Sequence, residues 1–510
     1  MDSRTTIAYR RAVFSDALRT LAYCWPQSVR SGETVGLHLA ATAPTVTVEV
    51  VRDDGDGAVV WRGTVRDAAP HAVPDDAPEA GCGWPVSVEI PTDPSWPSGL
   101  YLVRCTAAGA AAADPPTAFF VVRAVTPSPD RILLVLATTT WNAYNDVGGR
   151  NLYTGATVVS AERPLGLGML AKPVGDGERV AALVPGGTAD AFIAYTAQRN
   201  FSMWHGMAGW AAWERRFVLW ARAAGYRIDV AIGPDLETVP ELLRPYRLMV
   251  SVGHDEYWSA GMRDAVEAFV ADGGNVAFLS GNTCYWQVRL EGSRLTCFKH
   301  RFREDPVFGT ARQAETTTIW SDPLLGRPET QLTGVTFTRG GYARTAASVT
   351  RGTGGYEVHR PEHWLFAGTG LGRGDQLGAA AVVVGYECDG CVLALRDGRP
   401  VSTGEHGTPA SFEVLATAPA TPFDRHTTPL PLAPGGEYEL EFHAQRLLGT
   451  DDTAACERLR YGHAVLGCYA AGGTVVTTGC TDWACGLDDP AVAQVTRNVL
   501  ERLGRGHVGT

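Results

Sequence analysis

The stretch YRLMVSVGHDEYWS (246–259) carries an apolar run that stops at Gly253, followed at once by a histidine, two carboxylates, a tyrosine and a tryptophan. A short apolar run closed by a glycine reads as a strand buried on both faces, as strands of a parallel sheet are. Ser259 stands where it can cap a following helix, whose apolar face would hold Met262, Val266, Phe269 and Val270. The same unit recurs on either side. RILLVLATTT (131–140), RIDVAI (227–232), NVAFLSG (275–281) and TVVTTG (474–479) read as further strands. WAAWERRFVLWARAAGY (210–226) sets Trp210, Trp213, Phe217 and Trp220 at helical spacing, and AVAQVTRNVLERL (491–503) puts Val492, Val495, Val499 and Leu503 on one side. Strands alternating with helices in this way predict an α/β fold with a doubly wound parallel sheet.

The flanks read differently. Within 28–125, TVTVEVVRDD (45–54) alternates apolar and polar residues, DGDG (54–57) supplies a turn and AVVWRG (58–63) returns. WPSGLYLVRC (96–105) and AFFVVRAV (118–125) add strands, so 1–127 is expected to be an immunoglobulin-like β-sandwich, with VTPSPD (125–130) as linker. The α/β domain then occupies 128–510. It is interrupted by a Gly- and Thr-rich stretch, about 300–470, that reads as a β-rich insertion before the sheet resumes at 474. A long irregular loop fills about 142–205.

Bulk properties narrow the function. A chain of 510 residues is too long for one core. A net charge of −11 with no basic stripe argues against nucleic acid as partner. The opening MDSRTTIAYRRAVF has no apolar core of a secretory leader, and no run is long enough to span a bilayer. Eleven cysteines, an odd number and scattered, then suit a reducing cytoplasm. Monomer and symmetric oligomer are both compatible with the composition.

In open parallel sheets the ligand crevice lies beyond the carboxyl ends of the strands. Four polar segments fall there, each with a tryptophan: TTTWNAYNDVGGRNLY (138–153), GHDEYW (253–258), SGNTCYW (280–286) and TGCTDW (478–483). They predict a crevice walled by Trp141, Trp258, Trp286 and Trp483, with a polar floor of His254, Glu256, Asn282 and Asp482. Any one of these residues alone reads equally well as a loop, cap or packing residue.

WNAYNDVGGRNLY, GHDEYWS, GNTCYW and TDWACGL with its closing helix, in that order over about 130–505, resemble the family that shares the C-terminal catalytic domain of the large subunit of N,N-dimethylformamidase. The resemblance implies a glutamine-amidotransferase-like α/β fold and an amidohydrolase that splits a small amide. It also implies a mononuclear iron held by two tyrosines and a glutamate, and a small partner subunit. On this sequence the glutamate is Glu256 and one tyrosine is Tyr144, with His254, Asn282 and Glu387 as neighbouring functional residues. Phenolate and carboxylate oxygens suit a ferric ion, which can acidify water or polarise a carbonyl. His254 would carry a proton to the leaving amine, and Asn282 would donate to the oxyanion. One position departs from the pattern: ERPLGLG has Leu165 where many relatives carry tyrosine. Tyr153 is the substitute expected, with Tyr195 and Tyr257 behind it.

Rival readings remain. Cys284 after a strand, with His254, would make a nucleophilic pair, although Thr283 and Tyr285 crowd the turn. CDGC (388–391) is a lone C-x-x-C with a good turn at its centre, not a zinc site. Three function classes follow: an iron-dependent amidohydrolase, a diverged enzyme of specialised metabolism on the same scaffold, and a non-catalytic ligand-binding protein.

Overall fold

A computed structural model of the chain describes residues 19–181, 190–345, 349–424 and 438–504. The N-terminal stretch read for a leader lies outside these residues, as do 182–189 of the long loop and 346–348 and 425–437 of the insertion.

The parallel unit forms where the apolar runs predict it. Strands Ile228–Ile232, Ile132–Leu136, Leu248–His254, Asn275–Gly281 and Gly473–Thr477 lie side by side in parallel. In chain order this is 2-1-3-4-5, a doubly wound order whose switch point falls between the first and third strands. Alternate residues feed two cores, as a strand covered on both faces requires. Ile132, Leu134 and Leu136 pack with helices Glu214–Ala223 and Pro490–Gly504, whereas Leu133 and Val135 face helix Ala260–Ala271. Ser259 Oγ accepts the Met262 amide at 3.1 Å and caps that last helix.

The sheet does not end at its fifth strand. Gly462–Ala471, Glu413–Ala420, Tyr356–Val358 and Gln376–Leu377 continue it in antiparallel fashion. The sheet is therefore mixed, five parallel strands and four antiparallel, and part of the stretch read as an insertion is its second half. The hairpin turn that joins the halves is Gly472, at φ +85°, where a Cβ would stand 2.5 Å from Ala271 O. Only glycine satisfies both demands. The helix expected from Trp210 begins only at Glu214. Trp210 and Trp213 stay in the preceding turns because their indole N–H groups donate to Asp53 and Asp482, each at 2.7 Å.

Residues 20–123 make a three-stranded antiparallel sheet and a five-stranded sheet over one apolar core. The outer face of the five-stranded sheet gives Leu100, Leu102, Phe119 and Val121 to the α/β core, and Arg123 and Ser28 both bind Asp235. The two regions thus share packing.

Candidate active site

The strand Ile132–Leu136 feeds the short helix Thr138–Tyr144, and the neighbouring strand Leu248–His254 ends two residues before Glu256. The two ends are tied together, for the Glu256 amide donates to Thr140 Oγ1 at 2.9 Å. Asn151 folds the following loop back by donating to Tyr144 O and accepting the Tyr153 amide, both at 2.9 Å. Tyr153 therefore returns onto Tyr144.

The result is a buried oxygen cluster at the switch point. Tyr144 and Tyr153 hydroxyls stand 2.6 Å apart. Tyr153 donates to Glu256 at 2.8 and 3.0 Å, Tyr257 donates to Tyr153 at 3.0 Å, and Trp286 Nε1 donates to Glu256 Oε1 at 2.7 Å. Beside it, His254 Nδ1 meets Met207 O at 2.7 Å, which leaves Nε2 facing Glu387 Oε2 at 2.7 Å and Glu256 Oε2 at 3.2 Å. Asn282 Nδ2 donates to Glu387 Oε2 at 3.3 Å.

Asn282 sits at φ +49° and Cys284 at φ +56°, a strained turn. Asp389 Oδ2 steadies it by accepting the Thr283 amide at 3.0 Å. Gly281 allows the close approach, since a Cβ there would lie 2.5 Å from Thr481 N and 2.7 Å from Glu387 O.

Burial and then the Glu256 carboxylate push the Tyr144 and Tyr153 phenols well above their ordinary pKa. His254 moves the other way from what burial alone would do. Glu387 and Glu256 outweigh the burial and hold the imidazole protonated, while burial of Glu256 is outweighed by His254 and Lys299, which keep it ionised.

Six of the sequence-predicted residues thus converge: Tyr144, Tyr153, His254, Glu256, Asn282 and Glu387. Asp482 does not join them. Its carboxylate is taken by Arg179 and Trp213, each at 2.7 Å. Of the four wall tryptophans only Trp286 touches the cluster. Trp141, Trp258 and Trp483 donate to Glu214, Asp255 and Thr496 inside the cores. Asn282 is bonded through its nitrogen, and the buried atom left without a partner is Oδ1, an acceptor rather than an oxyanion donor.

Leu165 lines a small cavity with Phe119 and Trp141, and Tyr195 donates to Pro173 O in a separate small cluster; Tyr257 is at the site. Cys284 is buried in the core on the opposite face, with its thiol pushed well above the ordinary range by burial. Both nitrogens of His254 already have other partners, so the Cys284–His254 pair does not form.

Sequence reasoning missed three neighbours. Lys299 is buried at φ +56°, with Nζ 3.1 Å from Tyr257 OH and 3.1 Å above the Tyr153 ring. Burial lowers it to about 8. Trp204 stacks on Tyr153 at 5.3 Å, and Tyr386 stands edge-on to His254 at 6.2 Å. Lys299 lies in TCFKHRF (296–302), which has no periodic or motif signal. Tyr386 precedes Glu387 and was within reach of the reading.

Buried titratable groups give the protein a pH signature. Glu214, Asp389 and Glu439 are each pushed up to about 8, chiefly by burial. Their folded forms keep protons that the unfolded chain has released, so stability falls as pH rises towards 8. Buried His205 and His443, lowered to about 2 and about 3 by burial, act oppositely but only below the ordinary histidine value. Metal-free protein is therefore expected to lose thermal stability between about pH 6.5 and about pH 8, and Glu214→Gln should flatten that slope. Melting temperature against pH checks it, and a rising limb over that interval would refute it.

Fold and site define an α/β protein with a buried phenol–carboxylate–imidazole centre at its sheet switch point. The chain belongs to the family described as N,N-dimethylformamidase beta subunit-like, C-terminal, which matches residues 45–497. The match starts earlier than the motifs suggested and takes in most of the N-terminal strands, in keeping with the shared packing. Among curated proteins, the chain is 29% identical over 222 residues to the N,N-dimethylformamidase beta subunit of Alcaligenes sp, covering 39% of this chain and 26% of that one. It is 27% identical over 311 residues to the beta subunit of Paracoccus aminophilus, covering 56% and 35%. The chain thus spans about a third or less of the length of these relatives.

Proposed function

We propose that this chain is a metal-dependent amidohydrolase that cleaves the C–N bond of a small amide or formamide. The observation that carries the reading is the convergence of Tyr144, Tyr153 and Glu256 oxygens within 3.0 Å of the Tyr153 hydroxyl, next to the His254–Glu387 pair. The relatives' names supply the amide, and a partner subunit is an expectation of the same reading. A glutamine-amidotransferase-like assignment of the sheet and an immunoglobulin-like one of the N-terminal strands belong to it too.

The donor set fits a mononuclear ferric ion. Among the described residues, no group of three or more His, Cys, Asp and Glu side chains is placed to hold a metal. The oxygens that converge here are two phenols and one carboxylate, hard donors that suit trivalent iron. The two phenols, held neutral by burial, would lose their protons only to a strong cation. Such an ion, held by Tyr144, Tyr153 and Glu256, would supply Lewis acidity towards the amide carbonyl and towards water.

The chain's own groups handle the protons. Glu387 is placed to take one from the attacking water, and protonated His254 to give its Nε2 proton to the departing amine. Asn282 Oδ1, unpartnered and buried, would accept from that amine's N–H. Trp204, Trp286 and Tyr386 exclude bulk water.

Metal content and the visible spectrum of freshly purified protein test the reading. About one iron per chain with a broad visible band, as a phenolate–ferric centre gives, is expected. Colourless, metal-free protein that gains no amidase activity on adding iron would overturn it. Among the described residues no helix is long and apolar enough to cross a membrane.

A further inference from the structure

An amide oxygen that becomes an oxyanion calls for a hydrogen-bond donor, and Asn282 presents an acceptor instead. Most hydroxyls nearby are already spent. Tyr257 gives its proton to Tyr153, Tyr285 meets His443 Nε2 at 2.6 Å, and Tyr342 gives to Glu439 at 2.8 Å. Tyr386 differs. Among the described residues its hydroxyl makes no hydrogen bond of ordinary geometry, and it is not sealed in, for 7% of the residue stays exposed.

Its place is fixed from behind. Tyr386 stands in a bend just before the strand Glu387–Gly390, so it and Glu387 escape the alternation that sends neighbours to opposite faces. Arg179 pins the approach to that bend, donating to Ala381 O at 3.1 Å and to Val382 O at 2.7 Å while it pairs with Asp482. Gly385 lets Asp482 come close, since a Cβ there would run into Oδ2. The Ala343 amide donates to Tyr386 O at 3.2 Å. The ring ends edge-on to His254, 6.2 Å away. Burial and then the Glu387 carboxylate push the phenol well above its ordinary pKa, and Glu256 adds to this. The hydroxyl end of the ring therefore faces the carboxylates of the centre, and it keeps its proton.

From this geometry we infer that Tyr386 is a further catalytic residue, which donates its O–H to the carbonyl oxygen of the amide as that oxygen becomes an oxyanion. The inference rests on the amidohydrolase reading and deepens it. No proton changes hands, because the hydrogen stays on the phenol and the hydrogen bond tightens as charge builds on the amide oxygen. Before attack the hydroxyl is drawn to the anionic Glu387. When Glu387 takes the proton from water, that attraction falls just as the oxyanion appears. The hydrogen bond is then stronger in the transition state than in the ground state, which is the condition for accelerating the reaction.

Tyr386→Phe tests this on the iron-loaded protein, with formamide, N-methylformamide and N,N-dimethylformamide as probes. Phenylalanine keeps the ring and removes a hydroxyl that holds no ordinary hydrogen bond, so melting temperature, iron content and the visible band should match the wild type. A drop of about a hundredfold to a thousandfold in kcat is expected, the range for losing one oxyanion donor. KM should change by less than about threefold, since the lost contact belongs to the transition state. Both limbs of the pH profile should stay in place. A kcat within about threefold of the wild type overturns the inference and leaves the hydrolase reading intact. So does a shifted acid limb, which would assign the hydroxyl to holding the charge of Glu387. Loss of iron or a much lower melting temperature overturns it too, by giving the hydroxyl to the metal or to the fold. Wild-type protein that turns over none of the three amides overturns both.

Discussion

Glu256→Gln should yield folded protein that holds no iron, shows no visible band and turns over no amide. The glutamate is buried between the two strand ends and accepts hydrogen bonds from Tyr153 and Trp286, with His254 Nε2 at 3.2 Å. Glutamine keeps the volume but replaces an anionic acceptor with an N–H group that faces other donors. One of these contacts must fail, at a cost of about 1–3 kcal/mol. That is a visible loss of thermal stability, yet one a domain of ordinary stability survives. The effect on function is larger. Without the carboxylate only two neutral phenols remain, and nothing compensates the charge of a trivalent ion. Losing the Lewis acid removes several kcal/mol of transition-state stabilisation. Turnover should fall by about a thousandfold or more. Circular dichroism separates this from unfolding, and metal analysis reads the cause. A folded variant with a full complement of iron and ordinary turnover would remove Glu256 from the centre.

The sequence could announce where this centre lies, but not every side chain that faces it. An apolar run that stops at a glycine marks a strand end, and strand ends of a parallel sheet gather on one edge. That much pointed to His254, Glu256 and Asn282, whereas Tyr144 was singled out only by the resemblance to a known family. Which way a large side chain turns depends on partners far away in the chain. Trp141 found Glu214, Trp258 found Asp255 and Trp483 found Thr496, so three expected wall residues became core. Asp482 was captured by Arg179, a residue 303 positions away that no local pattern connects to it. Lys299 was invisible for the same reason, because its place is fixed by the ring faces of Tyr153 and Trp286 and not by its neighbours in sequence. The antiparallel half of the sheet was missed because Tyr356–Val358 and Gln376–Leu377 are short, Glu413–Ala420 is broken by a bulge at Val414/Ala416, and Gly462–Ala471 is buried over most of its length and does not alternate.

Glu387→Gln should separate the proton chemistry from the metal. Glu387 belongs to the strand Glu387–Gly390 and meets the centre through His254 and Asn282. Iron content and the visible band are therefore expected to persist. Turnover should drop by about a hundredfold to ten-thousandfold, the range for removing a positioned acid or base. The pH profile carries the sharper signature. Burial pulls the His254 pKa down, and Glu387 is the largest influence holding it up. Removing that charge lowers the imidazole pKa, so the protonated form that delivers a proton to the amine is lost at lower pH. The alkaline limb of kcat should move towards acid, whereas if His254 acted as a base from its neutral form the acid limb would move and the alkaline limb would stay. An unmoved limb with diminished turnover would assign Glu387 to substrate positioning and return the proton to another group. Loss of iron would place Glu387 among the ligands instead. Whether the alkaline limb moves therefore decides whether the imidazolium that Glu387 holds at 2.7 Å is the group that protonates the leaving amine.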